Sequence, residues 1–444
     1  MSQKNNNSLL RWGKTAFLTP KLCRLIFDKE CRYTNNGSPQ SKILHMNNSL
    51  SKTDLKEHRQ QFPGLINKTY FNFGGQGTMP ATALQAIIDT HKHIQQVGPF
   101  SSQINHWLNN QVNLLRQAIA SELGATPETI TLTENVTAGC NIAMWGVDWQ
   151  HGDHILMTDC EHPGIIATVE EISRRFGVEI SICSIMDTLN SGDPVEVIHS
   201  NLTENTRMVL LSHLLWNTGQ VLPLKAISQA CHNFPAGQTI RVMVDAAQSV
   251  GLLDLNLPEL EVDYYAFTGH KWLCGPAGVG GLYISTEAFQ DLNPTFIGWR
   301  SVELDDQGKP ISWKQDGRKF EVATSAYPEY EGLRSAIAIH QAWVNKSDRY
   351  QKICELSKYL WSQLQNIEQI SCLKDSPPEA GLVSFQVAGV EHKQLVNTLE
   401  KQGFLLRTIA DPDCIRACVH YLTLPEEIDR LLVAIQQNIN TLET

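Results

Sequence analysis

Several things are missing from this chain, and each absence closes off a class of function. No Cys-x-x-Cys pair occurs among its 11 cysteines, so neither a zinc ribbon nor a thioredoxin-like redox motif is written here. An odd number of cysteines scattered over 444 residues suits a reducing, cytoplasmic compartment better than a disulfide framework. No apolar run approaches eighteen residues, so no membrane span is expected. No long basic stripe interrupts a net charge of −10, which argues against nucleic acid as a partner. Gly278-Val279-Gly280-Gly281 lacks the GxGxxG spacing and the strand–turn–helix setting of a dinucleotide site. No internal repeat is visible, and no low-complexity segment follows residue 50. No metal site is expected.

What is present is an ordinary globular composition, 42% hydrophobic and 18% charged, at a length for which two domains is the natural expectation. The first 45 residues stand apart. They carry eight of the 36 Lys/Arg but only Asp28 and Glu30 of the 46 acids. Residues 1–50 are expected to form a basic, disordered leader, with translation from Met46 or a targeting peptide as the alternatives.

From residue 80 helical and strand patterns alternate. Residues 80–97 read as a helix ending before Gly98-Pro99. Ile104, Trp107, Leu108, Val112, Leu115 and Ile119 form an apolar stripe closed by Gly124. Short apolar runs at 129–133, 154–158, 178–184, 207–213 and 240–245 read as buried strands, with helices such as 165–176 and 224–232 between them. This rhythm predicts a mainly parallel sheet covered by helices, with ligands beyond the carboxyl ends of its strands. Residues 264–267 and 279–284 are expected to pair antiparallel across a Gly/Pro turn. After residue 330 long helices (333–344, 350–367) lead to strands at 382–387, 404–409 and 415–422. A helix at 392–402 and a last helix after Leu424-Pro425 complete a smaller α+β unit. The expected organisation is a segment 51–75 packing with the small domain, a large domain 76–330 and a small domain 331–444.

The chemistry clusters at strand ends. Lys271, in Thr268-Gly269-His270-Lys271-Trp272, follows a strand and precedes a Gly-rich turn, where a cleft would desolvate it into a nucleophile or base; a lone lysine is far more often a solvated surface group. Asp245 ends an apolar strand, where a buried carboxylate needs a cationic partner, unless it caps a helix or sits in a loop. Thr133-Glu134-Asn135-Val136-Thr137-Ala138-Gly139 opens a helix, which fits a phosphate cradle or an ordinary cap. His162 follows another strand and could lie flat on an aromatic ring, or be a plain core or surface histidine. Asn217 and Gln248 end two further strands with amide groups to offer. Arg407 and Arg416 flank the loop 410–413, as a carboxylate-binding fork or as salt-bridge partners of Asp411 and Asp413.

These pieces, in this order and spacing, resemble the class V aminotransferase and cysteine-desulfurase group of fold-type I pyridoxal-phosphate (PLP) enzymes. The stretches that carry the resemblance are 133–139, Glu161-His162-Pro163, Ser-His-Leu-Leu-Trp-Asn-Thr-Gly at 212–219, Val-Asp-Ala-Ala-Gln-Ser-Val-Gly at 244–251, and Thr268-Gly269-His270-Lys271. The resemblance implies a large domain with a mainly parallel seven-stranded sheet and a smaller C-terminal α+β domain. It makes Lys271 the lysine that binds the cofactor covalently, Asp245 the partner of the pyridine nitrogen and His162 the ring-stacking group. Asn217 and Gln248 become the contacts of the ring oxygen. Thr137, Ala138, Thr268 and His270 would hold the phosphate, and Thr324 would reach the phosphate of a neighbouring subunit, which implies a homodimer with shared sites. Arg407 matches the arginine that takes the substrate α-carboxylate, with Arg416 close by.

Cysteine desulfurases carry a nucleophilic cysteine on a loop just after that arginine. Residues 408–413 hold none, and Cys414 abuts the next strand, which favours a structural role. The stretches 67–77, 297–301 and 320–328 are similar instead to cyanobacterial-type L-cysteine/cystine C–S lyases. That implies β-elimination giving pyruvate, ammonia and a persulfide, a sulfur donor for iron–sulfur clusters. Trp299, Arg300 and Tyr327 would then line the substrate side, Arg300 reaching a distal carboxylate or making an interface salt bridge. The alternatives are a desulfurase using Cys414, an aminotransferase or epimerase of the same group, and a non-catalytic scaffold on the same fold. The scaffold would be marked by loss of the lysine or the aspartate, and both are present.

Overall fold

The computed structural model describes residues 52–442, so the expected leader 1–50 lies outside the described residues. Seven strands form the central sheet, in the order Ile130–Thr133, Gly280–Ile284, Tyr264–Thr268, Arg241–Asp245, Thr206–Ser212, His154–Thr158, Glu179–Cys183. Only Gly280–Ile284 runs against the others; it pairs antiparallel with both of its neighbours. The expected antiparallel pair around the Gly-rich turn is thus formed, inside an otherwise parallel sheet.

Mostly apolar runs form the inner strands because both faces of the sheet are covered there, whereas the edge strand Glu179–Cys183 is mostly half-buried or exposed. Successive side chains point to opposite faces. Leu156, Val209, Val242, Val244 and Phe267 therefore join one core layer with the helices Ser102–Leu123 and Leu224–His232. Their neighbours Ile155, Met157, Met208, Met243 and Ala266 join the other, with the helices Val136–Trp145 and Pro163–Phe176. The long helix Ser102–Leu123 starts where the Ser101 side chain accepts from the Ile104 N–H, and it stops at Gly124, which takes the left-handed φ of +63°.

A second, antiparallel sheet orders Ile370–Cys372, Leu382–Val387, Asp413–Cys418 and Arg407–Ala410. The strand expected at 404–409 is split. Phe404–Leu405 pairs in parallel with Thr69–Tyr70, and Arg407–Ala410 turns to pair with Asp413–Cys418. The chain leaves the sheet at residue 419 rather than 422. A hairpin of Val302–Leu304 and Pro310–Trp313 was not anticipated; its strands are short and mostly exposed, so they carry no buried-strand signature. The helix Tyr327–Trp343 packs on Ala81–Val97 and Ser102–Leu123. The boundary expected at residue 331 falls inside this helix.

Register brings the ends of the parallel strands to one edge. Ser212 pairs with Asp245, and Asp245 with Ala266. The site lies beyond this edge, where parallel sheets place their ligands.

Candidate active site

A cavity of about 420 Å³ opens there, lined by Thr137, His162, Asp245, Gln248, Thr268, His270, Lys271, Arg407 and Arg416 from the sequence reading. Gly74, Gly75, Asn135, Ser212 and Trp216 complete much of the wall. Nine of the fifteen site residues expected from the sequence are therefore brought together by elements far apart in the chain.

Lys271 sits just past the strand Tyr264–Thr268. Burial lowers its ammonium to about 8; Asp245 pulls the other way, and Arg416 and Arg407 add to the lowering. The carboxyl of Asp245 is pushed up by burial, against the Ala247 N–H, which donates to Oδ1 at 2.9 Å, and against the charges of Lys271 and His162. Among the described residues no cation lies within ion-pair distance of it. A half-buried acid in a cavity wall without such a partner is costly unless a ligand cation completes it.

The N-terminus of the helix Val136–Trp145 faces the same space. Its cap is Asn135, whose Oδ1 accepts from the Ala138 N–H at 2.9 Å. That bond uses the Ala138 amide, and Ala138 faces a neighbouring groove with Thr324. Thr137 does reach the cavity, opposite Thr268, whose hydroxyl lies 2.6 Å from His270 Nδ1. His162 is exposed on the cavity side. Its Nδ1 accepts from the Gly164 N–H at 3.1 Å, so the neutral ring carries its proton on Nε2. Trp216 meets it edge to face, 6.3 Å between centroids, and is anchored by its own N–H to the Cys160 carbonyl at 3.0 Å.

The two arginines face each other directly across the strand pair. Arg407 is exposed at the mouth, and Arg416 is buried. The alternative partners are not taken: Asp413 pairs with His392, and no described acid pairs with either arginine. Arg416 Nη1 donates to the Trp216 carbonyl at 2.7 Å, while its buried Nε has no partner.

Six expected residues, Tyr327 among them, lie elsewhere. Asn217 is buried behind the wall, its amide donating to the Asp411 carbonyl at 3.2 Å and its oxygen accepting from the Thr218 N–H. Ala138 and Thr324 share the neighbouring groove, and Trp299 and Arg300 border another with Arg116 and Glu321. Arg300 donates to the Tyr327 hydroxyl at 2.6 Å and approaches Glu321 at 3.8 Å, within the chain. Gln248 does line the cavity, with Nε2 donating to the Gly74 carbonyl at 2.9 Å and Oε1 accepting from the Trp272 indole at 3.0 Å.

Sequence reasoning missed Trp216, one position before the asparagine it selected, and Glu161, one before the histidine. Glu161 is a buried carboxylate that accepts from the Thr158 hydroxyl (2.6 Å) and from the Ser212 N–H (3.0 Å) and hydroxyl (3.1 Å). Burial raises it to about 7. An acid inside a motif of strand-end residues was the available signal. Cys414 is wholly buried, and burial pushes its thiol up to about 12.

This layout, a half-buried lysine and acid beside a helix N-terminus at the carboxyl edge of a mainly parallel sheet, is that of fold-type I PLP enzymes. The chain belongs to the class V aminotransferase family, whose model matches residues 69–431. Among solved structures it is 52% identical to the cystine C–S lyase C-DES in complex with its reaction product cysteine persulfide. That likeness covers 84% of this chain and 99% of the other, with a TM-score of 0.83. A C-DES mutant with glycine covalently linked to the PLP cofactor matches at 52% identity over 85% of this chain and 98% of that one, TM-score 0.84. A cysteine desulfurase of Haloferax volcanii is 26% identical, covering 82% of this chain and 88% of its own length.

The residues fit PLP. Asp245 offers the half-buried acid, without an ion-pair partner, that a pyridinium nitrogen would complete. Thr137, Thr268 and His270 ring the open helix end where a phosphate would sit, and Lys271 projects between the two.

Proposed function

We propose that this protein is a PLP-dependent carbon–sulfur lyase that carries out β-elimination on L-cystine or L-cysteine, giving pyruvate, ammonia and a persulfide or sulfide. The observation that carries this reading is that a half-buried, weakly basic Lys271 shares a cavity lined by no cysteine with a buried Arg416 that no acid neutralises and whose Nε has no partner among the described residues. The cofactor, when bound, supplies an electron sink for charge that develops at the substrate Cα.

The chain's own residues do the rest. Arg416 takes the substrate α-carboxylate: it is the buried fork with a free donor, whereas Arg407, the residue the family pattern selects, is exposed at the mouth and suits a second, distal carboxylate. Lys271, near 8, is deprotonated often enough at neutral pH to take the Cα proton at Nζ and charged often enough to return one. The sulfur substituent leaves Cβ with the bonding electrons, and a disulfide eases that step because a persulfide leaves better than a thiolate. Asp245 would hold the pyridine nitrogen and His162 would cover one ring face. A desulfurase reading needs an accessible thiolate near the substrate, and the burial of Cys414 stands against it.

The same reading makes the protein a cytoplasmic homodimer that supplies sulfur for iron–sulfur clusters. Supporting the dimer, Thr324, Trp299 and Arg300 lie outside their own chain's cavity, near the exposed Phe296 and Ile297. All nine cysteines among the described residues are free, which suits a reducing compartment. No described helix is long and apolar enough to cross a membrane.

The test is purified protein with PLP and a panel of cystine, cysteine and other β-substituted amino acids, following pyruvate, alanine and sulfane sulfur separately. Pyruvate from cystine, abolished in Lys271→Ala, is expected. Alanine as the main product would identify a desulfurase, and full turnover by Lys271→Ala would overturn the site itself.

A further inference from the structure

The loop that carries Lys271 is held by its carbonyls. The His270 carbonyl accepts from the Gly77 N–H at 2.7 Å, and the Lys271 carbonyl from the Cys274 N–H at 3.0 Å. The next two have side-chain donors from the other end of the chain: His420 Nε2 lies 3.3 Å from the Trp272 carbonyl and His340 Nε2 lies 2.9 Å from the Leu273 carbonyl. The approach at the first clamp is close enough that a Cβ on Gly77 would lie 2.1 Å from the Lys271 carbonyl oxygen.

Behind His340 the hydrogen bonds continue. Its Nδ1 lies 2.6 Å from the Tyr421 hydroxyl, which lies 3.1 Å from His58 Nε2. His58 Nδ1 lies 3.4 Å from the Gln61 amide nitrogen. The direction of every bond in this chain is fixed by its end. A carbonyl can only accept, so His340 Nε2 carries the proton. His340 Nδ1 of a neutral ring is then an acceptor, so the Tyr421 O–H donates to it. The Tyr421 oxygen is left to accept from His58 Nε2–H, and His58 Nδ1 accepts from Gln61. Burial lowers His58 to about 4 and His340 to about 3, which keeps both rings neutral as this order requires. The groups are packed as well as bonded: Trp343 stacks on Tyr421 at 4.4 Å and on His58 at 5.4 Å.

We propose that His58, Tyr421 and His340 form a directed hydrogen-bond relay that positions the Lys271 loop, so that Tyr421 and His340 are positioning residues for the lysine's proton transfers. The relay ties the helix Lys52–Arg59 and the segment after the second sheet to a loop two residues from Nζ, although none of the three side chains lines the cavity. Reorienting a reacting group by a fraction of an ångström is enough to slow a reaction while leaving binding untouched. This inference rests on Lys271 being the reacting lysine.

The experiment has two readouts on the full chain. Tyr421→Phe keeps the ring stack and removes the hydroxyl. The expected result is a kcat about fivefold to tenfold lower with KM unchanged. In the cofactor-free protein, the midpoint for acylation of Lys271 by acetic anhydride, which burial holds below the ordinary lysine value, should rise by about half a unit as the loop loosens and water enters. His340→Gln, with one donor and one acceptor, should hold kcat within about twofold, while His340→Leu should lose about tenfold. Wild-type kcat and an unmoved midpoint in Tyr421→Phe overturn the relay, and that variant decides alone if His340→Leu does not fold. Equal losses in His340→Gln and His340→Leu, matching only their loss of folded protein, overturn it too. If the wild type makes no lysine-dependent pyruvate, the lyase reading falls, and the acylation midpoint still tests the relay by itself.

Discussion

Replacing Arg416 by methionine should move stability and activity in opposite directions. The side chain is 2% exposed; one nitrogen donates to the Trp216 carbonyl and Nε has no partner. Removing a guanidinium from water costs several kcal/mol, and a single charge-assisted bond to a neutral carbonyl offsets about 1.5–3 kcal/mol of it. Without substrate, then, Arg416 is a net burden of about 1–3 kcal/mol, and methionine fills a similar length without the charge. Arg416→Met should leave the thermal midpoint of the substrate-free protein unchanged or a few degrees higher. With substrate the sign reverses. A carboxylate that loses its buried partner forfeits about 2–5 kcal/mol, or from about thirtyfold to several thousandfold in kcat/KM. Differential scanning fluorimetry and steady-state pyruvate formation measure the two effects on one preparation. A midpoint lower by more than about five degrees, together with kcat/KM within threefold of wild type, would show that Arg416 is structural and refute the reasoning.

Asp245→Asn should weaken PLP retention and lower kcat by about a hundredfold to a thousandfold, because it leaves a ligand cation without its buried counter-charge; cofactor absorbance after gel filtration measures the first, and full retention would count against the assignment. Cys414→Ser should keep pyruvate formation within about twofold, whereas a chemistry dependent on that thiol would lose it. Acid should destabilise the fold early. His58, His340 and His420 all have folded values lowered by burial from 6.5, so the unfolded chain binds more protons as the pH drops below 6.5. Their stabilising contribution is complete above that value and lost as the pH falls toward 4, by up to about 1.4 kcal/mol per unit for each ring. A thermal midpoint that stays flat between pH 7 and 5 would contradict this.

The sequence exposed what local chemistry dictates. Runs such as Arg241–Asp245 and Tyr264–Thr268 are legible as buried strands because both faces need apolar residues. Their terminal acid and the following lysine stand out because neither belongs beside such a core without a partner. What stayed hidden depends on the turn of a side chain or on distant pairing. Trp216 and Asn217 are adjacent, and only the backbone after Leu214 decides that the indole faces the cavity while the amide turns to Asp411. The split at Leu406 exists because Thr69–Tyr70, over three hundred residues earlier, claims Phe404–Leu405. No periodicity carries that information. Arg407 and Arg416 were visible as a pair, but which one is buried follows from strand order: Asp413–Cys418 lies inside the second sheet and Arg407–Ala410 at its edge.

The pairing of Thr69–Tyr70 with Phe404–Leu405 also has a consequence for biosynthesis. The residues just after it, Gly74 and Gly75, form cavity wall, and Gly77 clamps the lysine loop. Gly74 and Gly77 can meet Gln248 and His270 earlier, but Thr69–Tyr70, which leads into them, has no strand to pair with until residue 405 has been made. A nascent chain can therefore assemble its parallel sheet and expose Lys271 while one wall of the pocket is still absent. Closing so long a loop is slow relative to local folding. The pocket is thus completed only near the end of synthesis, and a chain cut short before residue 404 should keep its lysine but lack a closed site for the cofactor.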